Sequence, residues 1–280
     1  ILESTSPVGT TEEIADKIFT ETNLKKDELK IAYCPERVLP GNILNEIKSN
    51  DRVIGGFNNE SALAAKEFYS QFSFGEFNLT NTKTAELVKL TENSYRDVNI
   101  AFANELSMIC SEFDIDTQNL IKIANCHPRV NILKPGPGVG GHCIAVDPWF
   151  IVSKTPEQSK LIRTAREVNI KKTNWVIDQI KSYAYKFEAK NNRKPLIGCF
   201  GVTFKPDVDD IRESSAMKII IKLNSQNFNV ICCDPLIKDL EGLKFENYNQ
   251  LIEICDICVF LVAHSNFKNI EIKKSHILDF

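Results

Sequence analysis

The sequence predicts an α/β protein in which two regions of alternating strands and helices flank a helical middle. Short apolar runs alternate with helical patterns at both ends of the chain, which is the order expected of parallel sheets. Residues 82–113 contain neither Gly nor Pro, and a polar break at 191–195 precedes the second alternation. We therefore predict three domains, at residues 1–80, 81–190 and 191–280.

The N-terminal elements begin with a helix. Thr10 and Glu13 have the spacing of a capping box, and the apolar period that follows extends to about Thr22. Short apolar runs then predict strands, and a longer stretch with helical period predicts a second helix. These are strands at Lys30–Cys34, Arg52–Gly56 and Glu76–Leu79 and a helix at Asn59–Phe72.

The middle and C-terminal elements follow from the same patterns. The stretch at about Glu157–Lys190 is too long for an ordinary domain helix and indicates a connector between two lobes. The chain starts and stops inside strand patterns, at Ile1–Leu2 and Ile277–Phe280, so we expect it to be a piece of a longer protein. The remaining predictions are helices at Thr82–Phe113, Thr117–Asn125, Ser214–Asn227 and Tyr248–Ile254 and strands at Leu196–Val202, Asn229–Cys233 and Ile257–Ala263.

Composition and charge disfavour several classes of protein. The chain carries 34 Lys and Arg against 37 Asp and Glu, which is not the strongly basic balance of a nucleic-acid-binding protein. The longest apolar run, Ile257–Ala263, is far too short to cross a membrane. Nine cysteines, an odd number, and no leader pattern indicate reduced thiols in the cytoplasm. Cys255 and Cys258 form a CxxC without a second ligand pair, so we predict buried thiols and no metal.

A Pro- and Gly-rich loop at residues 135–148 carries the strongest local signal. Gly136, Gly138 and Gly141 match G-x-G-x-x-G by letter, but prolines flank the first glycine and no strand leads into it, which disfavours a dinucleotide fingerprint. The glycines instead favour a loop that approaches a bulky ligand closely. Cys143 follows them. It is either a buried small hydrophobic residue or a nucleophile, and a helix beginning near it would lower its pKa.

Two further stretches carry polar residues, each with an ordinary alternative. Lys89 and Asn93 share a face of the long helix beside Glu86, although a solvated charged face has the same pattern. Glu36 follows a predicted strand, and α/β proteins bind ligands where strands end, but a lone loop carboxylate is usually solvated.

The stretch Phe204–Ser214 follows the first strand of the C-terminal region. Ser214 is suited to cap the next helix, and Lys205 and Arg212 bring two cations to the start of that helix, which favours a phosphate site. Three aspartates in the same stretch favour the alternative, a capped turn with internal salt bridges.

Five stretches together resemble the UDP-glucose/GDP-mannose dehydrogenase family. They occur in the family's order over nearly the whole chain, which is far more specific than any one of them. The resemblance implies a partial Rossmann-like NAD-binding domain, a helical central dimerisation region and a second Rossmann-like domain that binds a UDP-sugar. The stretches are Glu3–Thr10, Tyr33–Gly41, the helix with Lys89 and Asn93, the loop with Cys143, and Phe204–Ser214.

The same resemblance implies a chemistry. The family uses two NAD+ to oxidise the C6 alcohol of a nucleotide sugar to a carboxylate. Cys143 would hold the reacting carbon, first as a thiohemiacetal and then as a thioester, while Lys89 and Asn93 would stabilise the oxyanion. The other implied catalytic roles are those of Asp147 in proton transfer, Thr5 in placing a water, and Glu36 in hydrolysis of the thioester.

Binding residues follow from the same motifs. Arg129 resembles an arginine that reaches the substrate of a neighbouring subunit, so the resemblance implies a homodimer. The implied UDP-sugar contacts are Arg37, Arg129, Gly138, Gly140, Gly141, His142, Phe204 and Lys205. The implied NAD contacts are Thr5, Glu36 and Arg212.

Two departures from the family and one further reading leave alternatives open. Members of the UDP-glucose type often carry an acidic residue four positions after Glu36, where this chain has Pro40; this favours UDP-N-acetyl-D-mannosamine as substrate over UDP-N-acetylglucosamine or UDP-glucose. No strand followed by G-x-G-x-x-G opens the chain, so we expect this piece alone to bind NAD poorly, and a non-catalytic UDP-sugar-binding dimerisation module is an alternative. A cysteine hydrolase is a third reading, although His142 beside Cys143 need not face the sulfur.

Overall fold

The chain divides into two compact units. The computed structural model describes residues 1–22, 24–25, 28–38, 42–267 and 277–280, so Pro40 lies outside the described residues. The first unit comprises Ile1–Tyr95 and Val146–Lys160, and the second comprises Arg96–Ala145 and Leu161–Phe280. The three domain boundaries drawn from the sequence stay a prediction.

Helices and strands alternate at both ends of the chain, and long helices fill its middle. In chain order the elements are α1 (Thr10–Thr22), β1 (Ala32–Tyr33), α2 (Ile43–Ser49), β2 (Arg52–Gly56), α3 (Asn59–Ser70), β3 (Phe77–Asn81), α4 (Thr82–Glu112), α5 (Thr117–Ala124), α6 (Asp147–Lys154), α7 (Lys160–Asn191), β4 (Leu196–Phe200), α8 (Ser215–Ser225), β5 (Asn229–Cys233), α9 (Tyr248–Ile254), β6 (Ile257–Phe260) and β7 (Ile277–Asp279). A short 3₁₀ helix covers Ser265–Phe267. The predicted α/β class is confirmed.

The first unit is built on a sheet of order β1-β2-β3. Strands β2 and β3 are parallel, but β1 runs antiparallel to β2, so the prediction of a parallel sheet is wrong for this pair. A parallel connection needs a crossover element packed on the sheet. Helix α2, which connects β1 to β2, has no buried residue and therefore does not serve as one.

The second unit contains a fully parallel sheet of order β5-β4-β6-β7. Its central strands are continuous apolar runs, as expected of strands that are covered on both faces. Helices α7 and α8 supply the apolar side chains that cover one face of the sheet. Among them, Ile180 and Ile220 are completely buried, as is Ile197 of β4. The chain passes from β4 to β5 on one side and returns to β6 on the other side of β4.

Helix α1 begins differently from the sequence prediction. Thr10 is the first helical residue rather than the cap, and its hydroxyl donates to the carbonyl of Pro7 at 2.7 Å. The N–H of Glu13 donates to the carbonyl of Gly9, which has φ +96°. The predicted capping box between Thr10 and Glu13 is therefore wrong, because the chain turns into the helix at a glycine one residue earlier.

Among the described residues, none of the helices combines the length and the apolarity that crossing a membrane requires.

Candidate active site

Glu86 fastens the loop that leads into α1. Its carboxylate is completely buried on α4. One oxygen accepts the N–H of Gly9 at 2.6 Å, and the other accepts both the N–H and the hydroxyl of Thr11 at 2.7 Å each. A solvated charged face, the ordinary alternative for this part of α4, is therefore wrong at Glu86. Because Glu86, Lys89 and Asn93 follow at i, i+3 and i+7, they lie along one face of α4, and this spacing is a sequence signal that marks Glu86.

Asn93 and Asp147 form the clearest polar contact of the first unit. The Asn93 amide donates to Asp147 Oδ2 at 2.5 Å. Asp147 is only 4 % exposed and is the first residue of α6. The structure thus joins two of the residues that the family resemblance makes catalytic, and Lys89, partly exposed, lies one turn before Asn93 on the same helix.

Helix α6 begins at Asp147, four residues after Cys143, rather than at Cys143 itself. The residues between them form turns. Pro148 stands in the first turn of α6, where the fixed φ of proline starts a helix and its missing N–H leaves no hydrogen bond unmade. The argument that a helix dipole lowers the pKa of Cys143 therefore has no support in the structure.

The loops that carry Thr5 and Glu36 leave the first sheet at one edge, because Leu2 and Tyr33 pair as a parallel bridge just before them. The Glu36 carboxylate accepts the N–H of Arg37 at 2.7 Å, so it is turned towards its own loop. Glu36 is partly exposed, so its carboxylate is neither fully solvated nor buried in the core.

Arg37 on the same loop has an acidic partner. Its guanidinium forms an ion pair with Glu92 on α4 at 2.6 Å. Both side chains are about one-third exposed, so the pair is screened by solvent and is worth little by itself. It does fasten this loop to the helix that carries Lys89 and Asn93.

In the second unit the glycines of the Pro- and Gly-rich loop allow close packing against the protein itself. Gly138 has φ +141°, and a Cβ there would lie 2.2 Å from the Thr173 hydroxyl. Gly141 has φ +83°, and a Cβ there would lie 3.0 Å from the ring of Phe204. A Cβ at Gly140 would lie 2.6 Å from the Glu213 carbonyl oxygen and 3.0 Å from the Phe204 Cβ. In this structure the glycines closely approach residues of α7, α8 and the Phe204–Ser214 stretch, and their close approach to a ligand stays a prediction.

Cys143 reaches the surface at the end of this loop. Its side chain is partly exposed, which contradicts the alternative of a buried hydrophobic residue. Arg212 lies near enough for the Cys143 thiolate to raise its pKa further, after the larger effect of Asp210. His142, Lys205 and Arg212 are exposed.

The Phe204–Ser214 stretch forms the helix cap and an internal salt bridge, and the phosphate site stays a prediction. Ser214 caps α8 by accepting the N–H of Met217 at 3.1 Å. Arg212 and Asp210 form an ion pair at 2.6 Å, and this pairing lowers the pKa of Asp210. The capped turn with an internal salt bridge is therefore present, and it leaves Lys205 exposed at the end of β4.

The expected site residues fall in both units. Thr5, Glu36, Arg37, Lys89, Asn93 and Asp147 belong to the first unit, whereas Arg129, the glycines, His142, Cys143, Phe204, Lys205 and Arg212 belong to the second. Arg129 is exposed on the segment after α5. Within the described parts of the chain, no group of three His, Cys, Asp or Glu is arranged to hold a metal ion. Cys255 and Cys258 are buried, as predicted, with their sulfurs 3.4 Å apart.

Comparison with known proteins decides the family. Three domain models of the UDP-glucose/GDP-mannose dehydrogenase family match the chain in order: the NAD binding domain at residues 1–73, the central domain at 83–171 and the UDP binding domain at 198–279. A UDP-N-acetyl-D-mannosamine dehydrogenase of Campylobacter jejuni is 48% identical over 100% of this chain and 71% of its own. The chain belongs to the UDP-glucose/GDP-mannose dehydrogenase family. The family consists of NAD-dependent nucleotide-sugar dehydrogenases, which are oxidoreductases.

Further relatives show what varies within this family. An NDP-N-acetyl-D-galactosaminuronic acid dehydrogenase of Ralstonia nicotianae is 47% identical over 97% of this chain and 66% of its own. The structure of a UDP-N-acetyl-mannosamine dehydrogenase from S. aureus superposes with a TM-score of 0.87 at 40% identity, over 99% of this chain and 66% of that one. The chain thus spans about two thirds of the length of such relatives.

Proposed function

We propose that the protein, with the rest of its NAD-binding domain, oxidises the C6 alcohol of UDP-N-acetyl-D-mannosamine to the carboxylate of UDP-N-acetyl-D-mannosaminuronate. The observation that carries the proposal is the 2.5 Å hydrogen bond from Asn93 to Asp147. It pairs an amide donor on α4, the helix that also bears Lys89, with a buried carboxylate at the start of α6. The names of relatives about half identical to the chain support the substrate, and the matched UDP binding domain supports its nucleotide.

NAD+, when bound, accepts a hydride in each of the two oxidations. The residues present suit one part of this cofactor. The Thr5 and Glu36 loops follow the carboxyl ends of two segments that pair in parallel, where α/β proteins bind ligands, and Glu86 holds the first loop in place. The glycine-rich turn that would bind the pyrophosphate is not in this sequence.

Cys143 performs the covalent chemistry in this proposal. Once C6 is an aldehyde, the thiolate adds to it, and the carbonyl π electrons move to oxygen, which takes up a proton to give a thiohemiacetal. Loss of the C6 hydride, which bound NAD+ would accept, and of the hydroxyl proton would give a thioester. Water then adds to the thioester carbonyl, and the C–S bond breaks to release the carboxylate, the thiolate and two protons.

The polar groups of the first unit would serve the charged states of this sequence. Lys89 supplies a cation, and the Asn93 amide has a second N–H besides the one that Asp147 accepts, so both suit an oxyanion. Asp147 suits proton transfer. Thr5 would place the water and Glu36 would assist its attack.

The test is NADH production by the full-length protein with each of four substrates: UDP-N-acetyl-D-mannosamine, UDP-N-acetylglucosamine, UDP-N-acetylgalactosamine and UDP-glucose. We expect two NADH for each uronate and a fall of about 10³-fold or more for Cys143→Ala. Cys126→Ala is the matched control, because that thiol is also exposed. Normal uronate formation by Cys143→Ala would refute the covalent route. Thioester cleavage without NAD would favour a hydrolase.

We also propose that the protein is a homodimer. Phe102 and Ile109 follow at i and i+7 on α4, and Phe113 comes directly after the helix. They are 56 %, 47 % and 71 % exposed, which makes an apolar surface of the kind that pairs with another surface. Phe102→Glu with Ile109→Glu should convert a dimer to a monomer in light scattering, whereas Phe74→Glu, at an exposed position of the first unit, should not. A wild-type monomer would refute this.

The reduced-thiol pattern of the sequence supports a cytoplasmic location.

A further inference from the structure

His264 is a buried histidine that the proposed chemistry does not use. It stands just after β6, and its side chain is completely buried in the second unit. Its Nδ1 accepts the N–H of Asp207 at 3.0 Å. Its Nε2 lies 3.1 Å from the Thr203 hydroxyl and 3.1 Å from Asp234 Oδ2. One imidazole therefore connects the chain segments that follow β4, β5 and β6.

The hydrogen-bond network assigns the proton of this imidazole. The Thr203 hydroxyl donates to the carbonyl of Lys205 at 3.0 Å, so its oxygen is the acceptor towards His264. Asp234 is a carboxylate and also accepts. Nε2 must then carry the proton and Nδ1 must be bare, which matches its acceptance of the Asp207 N–H. His264 is thus a neutral bridge that donates on one side and accepts on the other.

The bridge closes around the segment that is expected to contact the nucleotide. Thr203 precedes Phe204 and Lys205, and Asp207 follows them two positions later. The Asp207 carboxylate is held in addition by the N–H and the hydroxyl of Ser265, at 2.8 and 2.6 Å. Both ends of a three-residue segment are therefore fastened to the end of β6.

This position is the switch point of the parallel sheet. Strands β4 and β6 are neighbours, yet their connections leave towards opposite sides of β4, and α/β sheets bind ligands in the crevice that such a reversal creates. The held segment also touches the Pro- and Gly-rich loop, because the Phe204 ring occupies the space beside Gly141. A shift of Phe204 would therefore affect Gly141, which lies two residues before Cys143.

We propose that His264 is a positioning residue that holds Phe204 and Lys205 for the nucleotide of the substrate. It touches neither substrate nor cofactor and acts through Thr203 and Asp207. This inference rests on the proposed function, since Phe204 and Lys205 are expected nucleotide contacts. It predicts that the two hydrogen-bonding sides of the imidazole contribute separately, because each fastens one end of the segment.

Three substitutions separate the two sides. His264→Gln retains a donor in place of Nε2–H, His264→Asn retains an acceptor for the Asp207 N–H, and His264→Phe retains neither. Ile220→Val is the matched control, because it weakens the buried core of the same unit without touching these hydrogen bonds. UDP affinity is measured by calorimetry, melting temperature by fluorescence, and KM and kcat by NADH production of the full-length protein.

We expect His264→Phe to weaken UDP binding about ten-fold or more, with intermediate losses for the Gln and Asn variants and a larger change in KM than in kcat. If His264→Phe does not fold, Thr203→Val replaces it and should weaken UDP binding in the same direction.

UDP affinity within about two-fold of Ile220→Val at an equal loss of melting temperature would overturn the inference, because His264 would then be structural alone. Absence of UDP binding in the wild type would also overturn it. UDP binding does not depend on turnover. If no UDP-sugar yields NADH while the His264 series still loses UDP affinity, the proposed reaction fails and the positioning role stands.

Discussion

Replacing Glu86 with Gln tests whether one buried carboxylate holds the Thr5 loop. The wild-type carboxylate accepts three hydrogen bonds, from the N–H of Gly9 and from the N–H and hydroxyl of Thr11. Gln has a single acceptor oxygen. The orientation that retains both Thr11 donors turns the new NH2 group towards the Gly9 N–H, so one hydrogen bond to a charged group is lost and two donors face each other.

The expected loss of stability follows from this count. A hydrogen bond to a charged group contributes about 1.5–3 kcal/mol, and a buried donor left unsatisfied adds a penalty of about 1–3 kcal/mol. Local relaxation offsets part of this sum, so we expect Glu86→Gln to lower the free energy of unfolding by about 3 kcal/mol. The side chain is completely buried, so solvent does not screen the effect.

The assay is urea unfolding combined with hydrogen exchange. Glu105→Gln is the matched control, since it makes the same change on the same helix at an exposed position and should stay within about 0.5 kcal/mol of wild type. The Gly9 and Thr11 amides should lose protection in Glu86→Gln and keep it in Glu105→Gln. Unchanged stability together with unchanged protection of these amides would refute the reasoning.

Two other predictions concern the second unit. Burial lowers the pKa of Lys172 to about 8, so between about pH 8 and 10.4 the unfolded chain binds a proton that the folded chain does not. The free energy of unfolding of wild type should therefore increase relative to that of Lys172→Met as pH rises through this range. If urea unfolding showed the same pH dependence for both proteins, the prediction would be wrong. Gly138→Ala should destabilise by about 2–3 kcal/mol because of its positive φ and the Thr173 hydroxyl, whereas Gly136→Ala, whose Cβ would meet nothing nearer than 4.0 Å, should be close to neutral in the same assay; equal stability of the two would contradict the packing argument.

Elements with strong local signals could be predicted from the sequence. Strands β4, β5 and β6 are short apolar runs, and α4 lacks Gly and Pro along its whole length, so each was placed within a few residues. Helix α2 was not predicted, because it has no buried residue and thus no apolar period. Helix α6 was missed because its start depends on Pro148 rather than on the preceding loop.

The supporting contacts of the candidate site could not be predicted, because they join residues far apart in the chain. Glu86 bonds to Gly9 and Thr11, which lie 77 and 75 positions away. His264 bonds to Thr203 and Asp207 across 61 and 57 positions. A single sequence shows Glu86 as one charge among several on a helix and His264 as a residue at the end of a strand. Tertiary packing buries both side chains and brings their hydrogen-bond partners to them.

The helical phase between Glu86 and Asn93 restricts how this chain can change length. Each residue advances an α-helix by about 100°, so inserting one residue between them would turn Asn93 a quarter turn or more away from the direction set by the Glu86 anchor. Insertions beyond the C-terminal end of α4 have no such effect on this face. Natural length variation should therefore be tolerated in the loop that follows α4 and excluded from the first three turns of the helix.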